Sequence, residues 1–131
     1  MEMRRTAMLF MAIGSICAFL SVAAGAFGAH ALKAALDPAR LAVYETAAKY
    51  QMYHALALVI VGWQMHQVSD VRLLRAGWLF CLGILLFSGS LYVVATLGLH
   101  WAGAITPLGG VAFLGGWGIL AWAAWRRFKD S

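Results

Sequence analysis

The sequence predicts an all-α integral membrane protein: a four-transmembrane-helix bundle with both termini cytoplasmic, and an outer-face helix that precedes or is continuous with the second span. Three observations carry this expectation. Fifty consecutive residues between Arg75 and Arg126 carry no charge, and Thr6–Leu32 and Tyr50–Ser69 are also free of Asp, Glu, Lys and Arg. A charge at the centre of a bilayer costs roughly 2.5–3.5 kcal/mol on insertion scales, so such exclusion is the mark of a chain built for lipid. The composition, 63% hydrophobic and 11% charged, lies far from the soluble average of about 45–50% and 25%.

The first element follows Met1-Glu2-Met3-Arg4-Arg5 and runs apolar from Ala7 to Ala29, which is 23 residues. A signal-peptide core is shorter, about 7–15 residues, whereas a crossing helix needs about 20. A retained first span over residues 6–29 is therefore expected, although Ala29-His30-Ala31 imitates a cleavage site. The outer segment 30–49 follows. Asp37-Pro38 is a helix start, with Asp as N-cap and Pro at the first helical position. No clear breaker lies between Pro38 and His66, Gly62 being the only candidate. The sequence leaves open whether 38–49 is a separate interfacial helix or the beginning of the second span, placed near 50–66. Glu45 and Lys49 have the i,i+4 spacing of a surface ion pair.

The fifty-residue uncharged run is too long for one crossing. Gly98, Gly103 and Thr106-Pro107 mark a turn within it, dividing it into spans near 76–97 and 107–125. Orientation follows from basic residues in short loops. Arg4, Arg5, Arg72, Arg75, Arg126, Arg127 and Lys129 fall on one side of a four-span chain, and Lys33, Arg40 and Lys49 on the other. Seven against three places both termini in the cytoplasm. Trp63, Trp78, Trp122 and Trp125 then lie near inner boundaries and Trp101 near an outer turn, as an aromatic belt requires. Trp117, in mid-span, is the exception.

The net charge of +5 does not indicate nucleic acid, because the cations flank apolar runs and form no stripe. Cys17 and Cys81 lie inside apolar runs without CxxC spacing, where a thiol acts as a small hydrophobe. No cofactor or metal is expected.

Helices in lipid pack through small residues. At 100° per residue, Gly14, Cys17, Ala18, Ser21, Gly25 and Gly28 share an arc of about 100° on span one. Gly109, Ala112, Gly116 and Ala123 share one of about 60° on span four. The predicted packing set is Gly14, Ser21, Gly25, Gly28, Gly109, Ala112 and Gly116. Polar residues gather separately. Cys81, Ser88, Tyr92 and Thr96 share a face of span three, and Tyr50, Gln51 and His54 a face of span two. With the inferred topology, His30, Tyr50, Gln51, His54, Ser88, Ser90, Tyr92 and Thr106 form a polar cluster near the outer leaflet. Tyr50 and Tyr53 suit an interfacial belt, Ser88 and Ser90 suit bonds back to their own helix, and His54 suits a bond between helices.

Four strings carry a family likeness: Gly25-Ala26-Phe27-Gly28-Ala29-His30-Ala31-Leu32, Tyr50-Gln51-Met52-Tyr53-His54-Ala55-Leu56-Ala57-Leu58, Phe87-Ser88-Gly89-Ser90-Leu91-Tyr92 and Ile105-Thr106-Pro107-Leu108-Gly109-Gly110. Together, and in this order, the chain resembles the bacterial membrane family known as domain of unknown function 423, to which eukaryotic transmembrane protein 256 looks related. The resemblance implies a small polytopic inner-membrane protein and carries over no activity and no catalytic residue.

The function expected from the residues is non-enzymatic: an accessory subunit or a lipid-contacting helical bundle. Its partners would be membrane lipids, and a larger membrane-protein complex or a homo-oligomer, without nucleic acid. An oligomeric channel or small-solute transporter is the alternative, weakened by the absence of Asp and Glu from every span. A haem or metal site at the outer leaflet, using His30, His54, His100 or Glu45, is the second alternative. It lacks any compact ligand motif.

Overall fold

The structure, a computed structural model, describes residues 2–131. Four long helices lie side by side: α1 (Glu2–Ala35), α2 (Pro38–Gln67), α3 (Val71–Leu97) and α4 (Thr106–Asp130). No β-strand occurs among the described residues. Helices α1 and α3 each contain one widened π-turn, at Gly28–Leu32 and Ile84–Ser88.

The helix ends follow from local chemistry. Leu36 turns extended after α1. The Asp37 carboxylate then accepts from the Arg40 backbone N–H at 2.9 Å, with Pro38 opening α2. Residues 38–67 form one uninterrupted helix, so the segment after Asp37 is continuous with the second apolar stretch. Asp70 caps α3 through the Arg72 N–H at 2.9 Å. Helix α3 ends at Gly98, whose φ of +67° is the left-handed conformation that glycine adopts without penalty. A single-turn 3-10 segment, His100–Ala104, then leads to Pro107 in the first turn of α4.

Three segments are long and apolar enough to cross a membrane, Glu2–Ala35, Val71–Leu97 and His100–Asp130. Helix α2 is long enough, at 30 residues, but Arg40, Glu45, Lys49, Gln51, His54, Gln64 and His66 make it the most polar of the four. It is also the most enclosed. Its buried residues Tyr44, Ala48, Gln51, Ala55, Leu58, Gly62 and Met65 recur at alternating steps of four and three, while Ala47, Ala57 and Val61 are buried beside that seam. The matching residues of α1 are Ala7, Gly14, Ser21 and Gly28, spaced by seven. A repeat of 3.5 residues keeps two helices in register along a left-handed crossing.

The approach along this seam is backbone to backbone. A Cβ on Gly14 would sit 2.7 Å from the Ala55 carbonyl oxygen, and one on Gly62 would sit 2.6 Å from that of Ala7. Elsewhere glycines act as seats for aromatic rings. Tyr44 covers Gly28, Phe10 covers Gly77, Phe80 covers Gly116 and Phe113 covers Gly83, while Gly109 abuts the Phe87 backbone. Phe10, Leu58, Val61, Met65, Leu73 and Phe80 form the centre of the core.

Two sequence expectations need correction. Gly25 faces away from every helix, with nothing within 4 Å of where its Cβ would be. The seam selects every seventh residue of α1, and Gly25 falls between Ser21 and Gly28. Glu45 and Lys49 form no ion pair among the described residues. Both are exposed, and holding two long solvated side chains in one geometry gains little.

Candidate functional site: an interhelical polar ladder and an aromatic groove

Ser88 closes the π-turn of α3, and the helix is regular from Gly89 to Leu97, so Ser88 and Thr96 stand about 80° apart at 100° per residue. That separation is enough to divide them: Ser88 is buried, while Thr96 is exposed and bonds back to the Tyr92 carbonyl at 2.7 Å. The Ser88 hydroxyl donates to the Ala47 carbonyl of α2 at 2.8 Å. This replaces the expected bond to its own helix. Ser90 does donate locally, to the Phe87 carbonyl at 3.0 Å, and also meets the Thr106 hydroxyl of α4.

The other polar side chains form rungs between helices. Ser21 donates to the Ala48 carbonyl at 2.7 Å, Tyr44 to the Ala24 carbonyl at 2.8 Å, and the Gln51 amide nitrogen to the Cys17 carbonyl at 2.8 Å. The Gln51 amide oxygen accepts from the Tyr92 hydroxyl at 2.8 Å, so one glutamine joins α1, α2 and α3. Arg40 closes the ladder. Its guanidinium donates to the Ala95 and Thr96 carbonyls, each at 2.8 Å, satisfying the C-terminal carbonyls of α3.

Along α2, His54 is the member farthest from Arg40, and it is buried. The indole N–H of Trp117 donates to its Nε2 at 3.0 Å, and its Nδ1 lies 2.7 Å from the Tyr50 carbonyl. An indole nitrogen can only donate and a carbonyl can only accept. The geometry therefore requires a neutral imidazole with its proton on Nδ1. The ring lies flat on Phe113, centroids 3.4 Å apart and planes 7° from parallel, with Phe80 and Tyr50 on other sides. Both nitrogens are engaged, so neither has a lone pair free for a metal or a reacting proton.

Of the predicted cluster, Tyr92 meets Gln51, Ser90 meets Thr106 and Tyr50 stacks on His54, while Ser88 bonds only to the Ala47 carbonyl, so these residues form separate interhelical contacts and not one network. His30 takes no part: it is exposed in the α1 π-turn and makes no hydrogen bond among the described residues. Of the predicted packing set, Gly14, Ser21, Gly28, Gly109, Ala112 and Gly116 are buried. Sequence reasoning missed Tyr44, Arg40, Phe113 and Trp117. Only Trp117 left a signal: it was the one tryptophan away from a membrane boundary, and its N–H needs a buried partner there.

Beside His54, between α2 and α4, a groove of about 580 Å³ opens laterally. Its walls include Tyr50, Tyr53, His54, Phe113, Leu114 and Trp117. Tyr50 and Tyr53 are 40% and 55% exposed, and among the described residues neither hydroxyl has a hydrogen-bond partner. The groove therefore offers an aromatic and aliphatic wall with two phenols at its edge. Such a surface can hold a hydrocarbon chain or a flat apolar ring. It presents no nucleophile paired with a base.

Residues 24–110 match a family described as Protein of unknown function (DUF423). The UPF0382 membrane protein SH2409 of Staphylococcus haemolyticus is 45% identical over 109 residues, covering 83% of this chain and 88% of that protein. The UPF0382 membrane protein YwdK of Bacillus subtilis is 44% identical over 117 residues, covering 88% and 95%. The UPF0382 membrane protein SAB0533 of Staphylococcus aureus is 42% identical over 118 residues, covering 90% and 96%. No solved structure matches.

Proposed function

The chain belongs to the DUF423 family of bacterial membrane proteins, and from that premise and the site geometry we propose that it is a non-enzymatic, lipid-contacting helical bundle of the inner membrane. In this reading α2 is a fourth crossing that turns its polar side chains toward the other three helices and its exposed Tyr53, Leu56, Ile60 and Trp63 outward, and both termini are cytoplasmic. The groove between α2 and α4 holds a lipid acyl chain, with Tyr50 and Tyr53 at the level of the outer headgroups.

One observation carries the proposal. Among the described residues no buried side-chain nitrogen or oxygen lacks a hydrogen-bond partner, and the interhelical partners are mostly backbone carbonyls of a neighbouring helix. A catalytic or ion-conducting site needs polar groups free to exchange a protein partner for substrate or ion. Here those groups tie helices together. The lining of the groove, almost wholly apolar, supports hydrocarbon as its occupant. The excess of Lys and Arg on the side of the termini supports the orientation, and reporter fusions at each terminus that are active only outside the cytoplasm would contradict it.

The test of function is purification from native membranes in a mild non-ionic detergent, followed by native mass spectrometry and identification of everything that co-elutes. Retained phospholipid, lost on Leu114→Asp in the groove wall, is the expected result. A stoichiometric protein partner would favour an accessory subunit. Flux across liposomes containing the pure protein would sink the proposal.

A further inference from the structure

At the opposite end from Arg40, the α2–α3 turn and the last turns of α4 enclose a recess of about 610 Å³. Asp70 is its organising residue. Oδ1 accepts from the Arg72 backbone N–H at 2.9 Å and from Arg72 Nε at 3.0 Å, while Oδ2 accepts from Arg72 Nη2 at 3.0 Å and Arg127 Nη2 at 2.9 Å. This carboxylate, 11% exposed, thus ties α3 to α4. The Arg72 guanidinium beside it holds its pKa down at about 2. Arg72 also lies over the Trp122 ring, 5.4 Å from its centroid.

Arg75 and Arg126 line the same recess. Both are exposed, and among the described residues neither has a hydrogen bond or an ion pair. The recess thus carries four guanidinium groups against the one carboxylate of Asp70. Asp130, at the end of α4, also acts on Arg72, and the balance remains positive. Trp78, Trp122 and Trp125 are exposed on the same helices, where apolar surface begins.

We propose that this recess binds the phosphodiester of an anionic phospholipid, with Arg75 and Arg126 as its ligands and the acyl chains against the apolar sides of α3 and α4. Asp70 pairs with and fixes both Arg72 and Arg127, which leaves the other two arginines exposed and without an ion-pair partner among the described residues. A guanidinium presents a planar fork of donors that matches a phosphate and suffers less from partial dehydration than an ammonium. Lipid, and not free phosphate, is the source because the recess adjoins helices of membrane-crossing length and three exposed tryptophans of the kind that sit at headgroup level. Basic pockets between helices at an anionic leaflet are suited to this task. The site rests on the membrane-spanning reading of α3 and α4. It is independent of the groove beside His54 and of whether the protein is an enzyme.

The full chain is reconstituted in nanodiscs of phosphatidylcholine alone or with phosphatidylglycerol, and lipid retained after mild detergent release is counted by native mass spectrometry. Wild type is expected to retain phosphatidylglycerol preferentially and to melt at a higher temperature in its presence. Arg75→Gln/Arg126→Gln should melt like wild type in phosphatidylcholine. Its preference for phosphatidylglycerol should fall roughly thirtyfold, from the usual contribution of two basic residues near an anionic surface. Equal retention of both lipids by wild type, or an undiminished preference in the double variant, overturns the proposal. So does a full melting shift produced by inorganic phosphate with phosphatidylcholine, which would make the recess a free-anion site. Should the double variant melt lower in phosphatidylcholine, the single Arg75→Gln variant gives the comparison, with the same criteria. Loss of the groove lipid on Leu114→Asp leaves every one of these readouts in place.

Discussion

Gly62→Ala should loosen the α1–α2 seam at its tightest point. A methyl there would sit 2.6 Å from the Ala7 carbonyl oxygen, 2.7 Å from Met11 Cγ and 3.1 Å from the Met11 nitrogen. Met11 Cγ can swing aside, but the other two atoms are backbone. Ordinary contact begins near 3.4 Å, so the helices must part by about 0.8 Å, the difference between 3.4 and 2.6 Å. A gap of that size forfeits roughly a quarter to a half of each dispersion contact along the seam. Overpacking of this kind costs about 1–3 kcal/mol. The methyl also raises helix propensity by up to about 1 kcal/mol, and in lipid it gains little from burial, since the surroundings are as apolar as the interface. The net loss expected is about 1–2 kcal/mol. Gly25→Ala is the matched control, because its methyl meets nothing within 4 Å, and it should be neutral or slightly stabilising. Reversible unfolding in mixed micelles of increasing SDS fraction measures both. If Gly62→Ala unfolds within about 0.5 kcal/mol of wild type, the scatter ordinary for a surface change, or if Gly25→Ala is the more damaging, the backbone contact between α1 and α2 is not what holds them.

A double-mutant cycle between His54→Ala and Trp117→Phe should return a coupling of about 0.6–1.7 kcal/mol, the range for hydrogen bonds between helices in lipid. His54→Ala alone should cost about 1–3 kcal/mol through the orphaned indole N–H; zero coupling would mean the two side chains do not meet. Asp70→Asn keeps an N-cap side chain but removes the charge bound to Arg72 and Arg127. Because the carboxyl is held at about 2, below its ordinary 3.8, its stabilisation is present in full above 3.8 and disappears as pH falls towards 2. The melting temperatures of wild type and Asp70→Asn should therefore differ at neutral pH and converge over that acid range. A gap undiminished at about pH 2 would exclude the ion pair as its cause.

Much of the arrangement was readable from the sequence because lipid imposes a coarse filter. Charge exclusion located the apolar helices, Asp37-Pro38 and Gly98 announced helix ends, and the small-residue face of α4 at Gly109, Ala112 and Gly116 is the face that packs. What escaped was finer than a 100° wheel resolves. A seam of 3.5-residue period drifts away from that wheel by about 20° per heptad, enough to leave Gly25 outside it. The π-turn at Ile84–Ser88 inserts a rotation that no residue in Ile84-Leu85-Leu86-Phe87-Ser88 advertises, and it shifts Cys81 relative to the polar residues that follow the turn. Partners lay beyond reach for a different reason. The bonds from Ser21, Tyr44, Gln51 and Ser88 end on main-chain carbonyls, which every residue possesses, so side-chain identities could not say where they go.

The same bonds explain why the least apolar helix occupies the most enclosed place. As the fourth crossing proposed above, helix α2 by itself would bring Gln51 and His54 toward hydrocarbon with their polar atoms unmet, at several kcal/mol each. Helix α1 offers the Cys17 and Ala24 carbonyls to Gln51 and Tyr44, and Ser21 to the Ala48 carbonyl. Helix α3 then supplies Tyr92 to the remaining end of Gln51, and α4 supplies Trp117 to His54. Each neighbour thus removes a different part of the cost, and none removes all of it. Helices α1 and α2 are separated only by Leu36 and Asp37, so the first of these demands is met by the nearest neighbour in the chain. The last, that of His54, is met only by α4. The groove beside His54 lies at that contact between α2 and α4.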